Sequence, residues 1–386
     1  MKWEPEIRFL LACLRLSPDF EEAQRLAEQG LNWNYLIAVA RQHKVLALLA
    51  QHTQEGRLSL PPKAEEQLVS FYKANAGRNL ALTGELLQLL KLFEGAGIEA
   101  LAIKGPTLAY IAYGRLAERE FADIDLIVRE SQAEEAGRLL EGRGYRAEFD
   151  LTAKQRRFFR KLSNELAYRH SQKALACDLH WALLPQKYSF SPEEAWWQTY
   201  RQPVQIGRRE VHTLSDEALL LYLCANAAKD NWSSLGALCD IAYMIYHRPL
   251  LKWDWIWTHQ GSAGSRRSLR VGLYLAHTLL GADLPQRLLA EIEADRTSMA
   301  LANRVQELLF ALNRGLWSWF VTDNLYLGAM EGWQDKSRYW FETLLRPHPK
   351  DMEKYRLPDW LFWLYYPIRL YSFTKKYVKR GLSKLF

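Results

Sequence analysis

Asp123-Ile124-Asp125-Leu126-Ile127-Val128 sets two acidic residues, two apart, into an otherwise apolar run. The run is strand-like, and successive side chains on a strand point to opposite faces. Asp123 and Asp125 therefore share one face, about 6–7 Å apart along the chain, while Ile124 and the apolar residues that follow anchor the strand. Two carboxylates on one face of an otherwise buried strand are costly to keep ionised without a cation. Magnesium meets that need, because it takes a few carboxylate oxygens and fills its remaining positions with water and phosphate oxygens. A surface strand end carrying the same pair would need no ion, so the motif by itself leaves both readings open.

Working outward, Ile98–Gly105 (IEALAIKG) is a short apolar run ending in a glycine turn, followed by a helical stretch around Leu108–Tyr113. Residues 131–143 read as helix, closing at Gly142 and Gly144. Three strand candidates come next: 145–149, 164–170 and 174–184. The last carries Asp178 and His180 on one face. This β-α-β-α-β-β-β order predicts an α+β fold with one small mixed sheet. Residues 6–97 read as helices, with Pro61-Pro62 opening a long one, and helical spacing returns after about residue 190 in 219–223, 241–245, 269–280 and 305–312. The expected division is an N-terminal helical region (1–97), an α/β core (98–190), a C-terminal helical domain (191–340) and a basic aromatic tail (341–386).

The 386 residues carry 51 basic and 44 acidic side chains, a formal charge of +7. Residues 345–386 hold ten Lys/Arg and three Asp/Glu, so the whole excess sits in the tail and the rest of the chain is neutral. That distribution argues against a nucleic-acid footprint across the α/β layer. Cys13, Cys177, Cys224 and Cys239 form no pair at metal-ligand spacing and read as free thiols of a reducing compartment. Glu4, Glu6 and Arg8 interrupt what a signal peptide would need as an apolar run, and no stretch has the length of a membrane span, so a cytoplasmic location is expected.

Together, KGPTLAYIAYGRLAEREFADIDLIV (104–128) and CDLHWAL (177–183) resemble a family of uncharacterised bacterial nucleotidyltransferases, nucleotidyltransferase family 5, of the DNA polymerase β-like superfamily. LCANAAKDNWSSLGALCDIAYMI (223–245) is similar to that family's helical segment. The resemblance spans most of residues 30–320. It implies an enzyme that moves a nucleoside monophosphate from a nucleoside triphosphate to a hydroxyl, releasing pyrophosphate. Two magnesium ions on Asp123, Asp125 and Asp178 are implied, with ATP or another triphosphate as donor and an acceptor that the sequence leaves unidentified. Two departures stand out. Lys104-Gly105 replaces the superfamily's glycine–serine turn, and Asn226 and Asp230 stand where histidines are expected.

Around this centre, Lys104 is the candidate for a β/γ-phosphate contact, against a solvated lysine. Arg119 is a fork donor to the triphosphate, or a salt-bridge partner of Glu118 or Glu120. His180 orients a carboxylate, touches the acceptor or simply packs in the core. Lys229 and Asp240 line the acceptor side, whereas Trp232 reads as core. A non-catalytic nucleotide-binding protein retaining the fold is one alternative; a sugar transferase with an Asp-x-Asp site is another, disfavoured by the helical lead. The tail packs aromatics beside Lys375, Lys376, Lys379 and Arg380, which suits a terminal helix with a solvated basic face, a membrane surface or, least well, nucleic acid.

Overall fold

A computed structural model describes residues 3–188, 190, 192–260, 263–310 and 325–382, with side chains for all of these except 263, 264 and 376–382. The chain opens on α1 (Pro5–Leu14), α2 (Phe20–Glu28), α3 (Trp33–Gln42) and α4 (Leu46–Gln54). Asp19 and Asn32 cap α2 and α3 by accepting from the backbone N–H groups of Glu22 and Tyr35. Pro62 then starts the 34-residue α5 (Pro62–Gly95), where its missing N–H costs nothing.

The sheet region comprises β1 (Ala100–Ala102), α6 (Gly105–Leu108) running into a π-turn over Ala109–Tyr113, β2 (Ile124–Val128), α7 (Ala133–Gly142), β3 (Tyr145–Ala147), α8 (Ala153–Leu162), β4 (Glu165–His170) and β5 (Ala176–His180). The strands form one mixed sheet in the order β1-β2-β5-β4-β3, with β2 and β5 parallel and the other pairs antiparallel. Then come α9 (Glu194–Thr199), β6 (Arg201–Ile206), β7 (Arg209–Leu214), α10 (Asp216–Lys229), α11 (Leu235–His247), α12 (Trp253–Thr258), α13 (Ala263–Leu280), α14 (Gln286–Ala294) and α15 (Arg296–Leu309). Further helices cover Trp333–Leu345, Pro349–Tyr355 and Tyr365–Leu382. This is an α+β fold with helical regions on either side of the sheet in sequence.

Strand alternation sorts the sheet into two faces. Ile124, Leu126 and Val128 of β2 and Cys177 and Leu179 of β5 share a core with Leu82, Leu86, Leu89 and Phe93 of α5 and Ala136 and Leu140 of α7. The opposite face carries Asp125, Asp178 and His180 and, further along, Ile127, which packs with α10 and α11. The helices before and after the sheet share that second core. Phe9, Leu36 and Leu49 join Leu220, Leu238 and Leu273, so the chain's two helical regions meet.

Two elements differ from the sequence expectation. Residues 201–214 form an antiparallel hairpin, β6–β7, turning at Gly207 (φ +62°), where helix was expected. Helix α8 fills a segment without an assignment, although Thr152 and Gln155 form a full capping box at its start. Of the expected helical stretch 305–312, residues 311 and 312 lie outside the described residues.

Two devices fix the approach to β2. Asn79 of α5 donates to the carbonyls of Leu116 (2.6 Å) and Arg119 (2.8 Å), and Asn75 donates to those of Ala117 (2.8 Å) and Arg119 (3.2 Å). A helix from outside the sheet thus holds the loop that delivers Asp123. Gly105, with φ +55°, lies against the same loop, and a Cβ there would sit 3.1 Å from the carbonyl oxygen of Asp123. Gly105→Ala is expected to cost about 1–2 kcal/mol, from the left-handed backbone alone. Gly95→Ala, with open space around it and no positive φ, is expected to be neutral or stabilising. Denaturant midpoints for the two variants check this; equal costs would contradict it.

Candidate active site

Residue register brings the acidic residues together. Asp125 on β2 stands directly opposite Asp178 on its parallel neighbour β5, and Ala167 and Glu165 of β4 stand opposite Asp178 and His180. Paired residues of neighbouring strands project to one face, so Asp125, Asp178, His180 and Glu165 form a polar row across three strands. Asp123, just before β2, extends it.

Asp125 is 4% exposed. The Lys104 ammonium lies 3.0 Å from its Oδ1, and His180 Nε2 lies 3.2 Å from the same atom. Burial would raise its pKa, but Lys104 and His180 outweigh burial and hold the carboxyl well below the usual range. Burial opposes the charge of Lys104 too, yet Asp125 and Tyr222 carry its pKa well above that of an ordinary lysine. His180 Nδ1 faces Glu165 Oε2 at 3.0 Å. Asn164 Nδ2 donates to the same Glu165 oxygen at 3.1 Å and lies 3.3 Å from His180 Nδ1. Glu165 is held below its ordinary pKa against burial, chiefly by His180.

Asp123 and Asp178 are different. Neither has a hydrogen-bond or ion-pair partner among the described residues, and both are half-buried. Burial, reinforced by Asp125 and Asp123, pushes Asp178 up to about 6. Burial and Asp125 also raise Asp123. Two carboxylates without a bonded partner, beside a third, supply the hard oxygen donors that suit a divalent cation such as magnesium. Among the described residues, no three acidic, imidazole or thiol groups converge closely enough to form a ready-made metal cage. The donor chemistry fits the ion, with Lys104 and His180 already engaging Asp125.

Arg119 does not pair with Glu118 or Glu120. Its guanidinium makes a bidentate contact with Asp240 of α11 (2.8 and 2.9 Å) and reaches the Gly105 carbonyl oxygen at 3.4 Å. Tyr113 donates to Asp240 Oδ1 at 2.7 Å and stacks on Tyr243, with centroids 4.8 Å apart. This buried network ties the glycine turn to the C-terminal helices. Lys104, Arg119, Asp123, Asp125, Lys229 and Lys44 line one cleft of about 640 Å³ between the sheet and the helices. Lys229 Nζ lies 4.0 Å from Asp230, and Asn226 also lines the cleft. Trp232 is fully buried, as its reading as core requires.

Sequence reasoning passed over Glu165, Asn164, Tyr113 and Lys44. Glu165 had a signal, since as the first acid of its strand it falls opposite His180. Lys44 had none beyond its charge, because α3 and α4 join far from the sheet in sequence. Its φ of +56° marks that junction, and the backbone carbonyl of the preceding His43 accepts from Gly236 N and Ser234 Oγ, both at 2.9 Å.

No curated protein matches the chain. The crystal structure of the lincomycin-bound lincosamide antibiotic adenylyltransferase LnuA is similar at 19% identity over 36% of this chain and 83% of that one, with a TM-score of 0.27. A family model described as uncharacterised nucleotidyltransferase matches residues 29–281, which include every residue of the polar row and the cleft. The chain belongs to the family of uncharacterised nucleotidyltransferases.

Proposed function

We propose that the chain transfers a nucleoside monophosphate from a nucleoside triphosphate to a hydroxyl acceptor, with magnesium, at the Asp123–Asp125–Asp178 face. The observation that carries this reading is the register of Asp125 with Asp178, beside an Asp123 that like Asp178 has no protein cation bonded to it. A retired site has no need to keep charges whose burial the fold must offset, so the row also favours catalysis over a purely binding role.

Asp123, Asp125 and Asp178 would hold the metal, which when bound draws charge from the phosphate oxygens. Lys104 keeps Asp125 ionised. Lys44 and Lys229 offer positive charge to the triphosphate across the cleft, a role for which Arg119 is poorly placed because Asp240 engages its fork. Asp178 either completes the metal site or, left free of the ion, takes the acceptor's proton as its base. The acceptor oxygen bonds the α-phosphorus as the bond from that phosphorus to the bridging oxygen breaks, and pyrophosphate leaves. His180, fixed by Glu165 and Asn164, orients Asp125.

Calorimetry with ATP, GTP, CTP and UTP tests the donor site. At least one triphosphate should bind in a magnesium-dependent way and lose that binding in Asp123→Ala/Asp125→Ala. A well-folded wild type that binds none of the four would refute the reading.

Asp178→Asn separates chemistry from stability. It should keep triphosphate binding and lower turnover by roughly 10²–10⁴-fold. The folded pKa of Asp178, about 6, exceeds the 3.8 of an ordinary aspartate, so ionisation destabilises the fold. That penalty is absent below the lower value, grows between the two and is complete above the upper one. In chelator at neutral pH the variant should therefore be more stable, by on the order of 1 kcal/mol after allowing for solvent screening. The gain should vanish in acid below the unfolded pKa. Denaturation across that range checks the sign.

A further inference from the structure

Twelve large apolar or aromatic side chains are exposed among the described residues, and nine of them fall between Trp333 and Tyr371. This concentration lies outside the family-matched segment 29–281 and exceeds the scatter of single apolar residues normal on a protein surface. On the helix Trp333–Leu345, the exposed Trp333, Trp340 and Phe341 are seven and eight residues apart, which places them on one helical face. Along the 3-10 turn Asp359–Leu364 and the helix Tyr365–Leu382 that continues it, Trp360 (75% exposed), Trp363 (62%), Tyr366 and Leu370 recur at spacings of three and four, with Tyr371 (58%) beside Leu370. The other side of that helix turns inward. Tyr365 is buried, packed with Met352 and Leu151, and Arg369 donates to the Thr343 carbonyl at 2.9 Å. Over residues 365–375 the helix therefore docks by its other face, and with the preceding turn it leaves an aromatic stripe facing solvent.

Charge follows the stripe in sequence and is not mixed into it. From Trp360 to Thr374 the one basic residue is Arg369, which is committed inward. Lys375, Lys376, Lys379 and Arg380 come directly after. The side chains of the last three lie outside the described residues.

We infer that this C-terminal aromatic layer docks the protein on an anionic lipid surface. Trp and Tyr rings suit the headgroup boundary, where one end is apolar and the other wet. An adjoining cationic cluster adds attraction to anionic headgroups. The layer lies on the bilayer and does not cross it, since no helix of the described residues is long and apolar enough to span one. A second copy fits less well, because it would bring together two segments that each carry +7. Nucleic acid fits less well because the exposed stripe itself holds no free cation.

Flotation of the full chain with vesicles tests this, comparing phosphatidylcholine alone with phosphatidylcholine plus phosphatidylglycerol at low and high salt. The protein should float with the anionic vesicles, more weakly at high salt, and hardly at all with the neutral ones. Trp360→Ser/Trp363→Ser/Leu370→Ser and Lys375→Glu/Lys379→Glu should each weaken binding about tenfold or more, with the circular dichroism spectrum and melting temperature retained. Absence from anionic vesicles, or flotation indifferent to both variants, would overturn the inference. So would a concentration-dependent dimer abolished by the aromatic variant, or RNA binding lost only in the charge variant.

Discussion

Asp125 is a carboxylate enclosed at the centre of a sheet, and the surrounding structure is arranged around the need to keep it charged. Lys104 reaches it from the end of β1 and His180 from β5, while Glu165 on β4 braces the imidazole from behind. Removing one partner from a buried pair of this kind typically costs about 3–5 kcal/mol, because the other charge is left uncompensated. One side chain therefore constrains four adjacent strands, and any slip in register would disperse the cluster. The Arg119–Asp240 pair repeats the arrangement at the next layer, joining the loop before β2 to α11.

The same logic separates the acids by role. Asp125 is compensated within the protein, whereas Asp123 and Asp178 are raised by burial and mutual repulsion and have no bonded partner. Groups whose environments push their pKa values apart divide naturally into one that stays ionised and one that exchanges a proton near neutrality. The catalytic reading rests on the register that sets Asp125 beside Asp178, and that contrast agrees with it. The polar row lies wholly within the family-matched segment, and the exposed aromatic residues between Trp333 and Tyr371 lie wholly beyond it.

Much of this was legible in the sequence because strands and helices leave periodic traces. The apolar run in 123–128 marked β2, although Asp123 falls just before the strand and meets Asp125 at the cleft, and the apolar neighbours of Asp178 marked its strand, though not the strand it would pair with. The β6–β7 hairpin was illegible because Pro203, Gln202 and the Arg208-Arg209-Glu210 run dilute the strand signal. Arg119 was assigned to phosphate or to its sequence neighbours, while its partner Asp240 sits on a helix far along the chain. Long-range ion pairs have no period, and only the packed structure reveals them. Lys104 is the subtler case, since a lysine at a glycine turn reads as a phosphate contact until the buried carboxylate across the sheet is seen to claim it.

The parallel pairing of β2 with β5 has a further consequence, for the order in which the molecule assembles. Everything from α7 to β4 lies between the two strands in the chain, and a parallel partner can be reached only after that intervening stretch has closed back on itself. Contacts of such long sequence separation form late, because the entropy of closing the loop must be met before they return any stabilisation. The meeting of Asp125 with Asp178 thus carries a loop-closure cost that a hairpin pairing would not, on top of the repulsion between the two carboxylates.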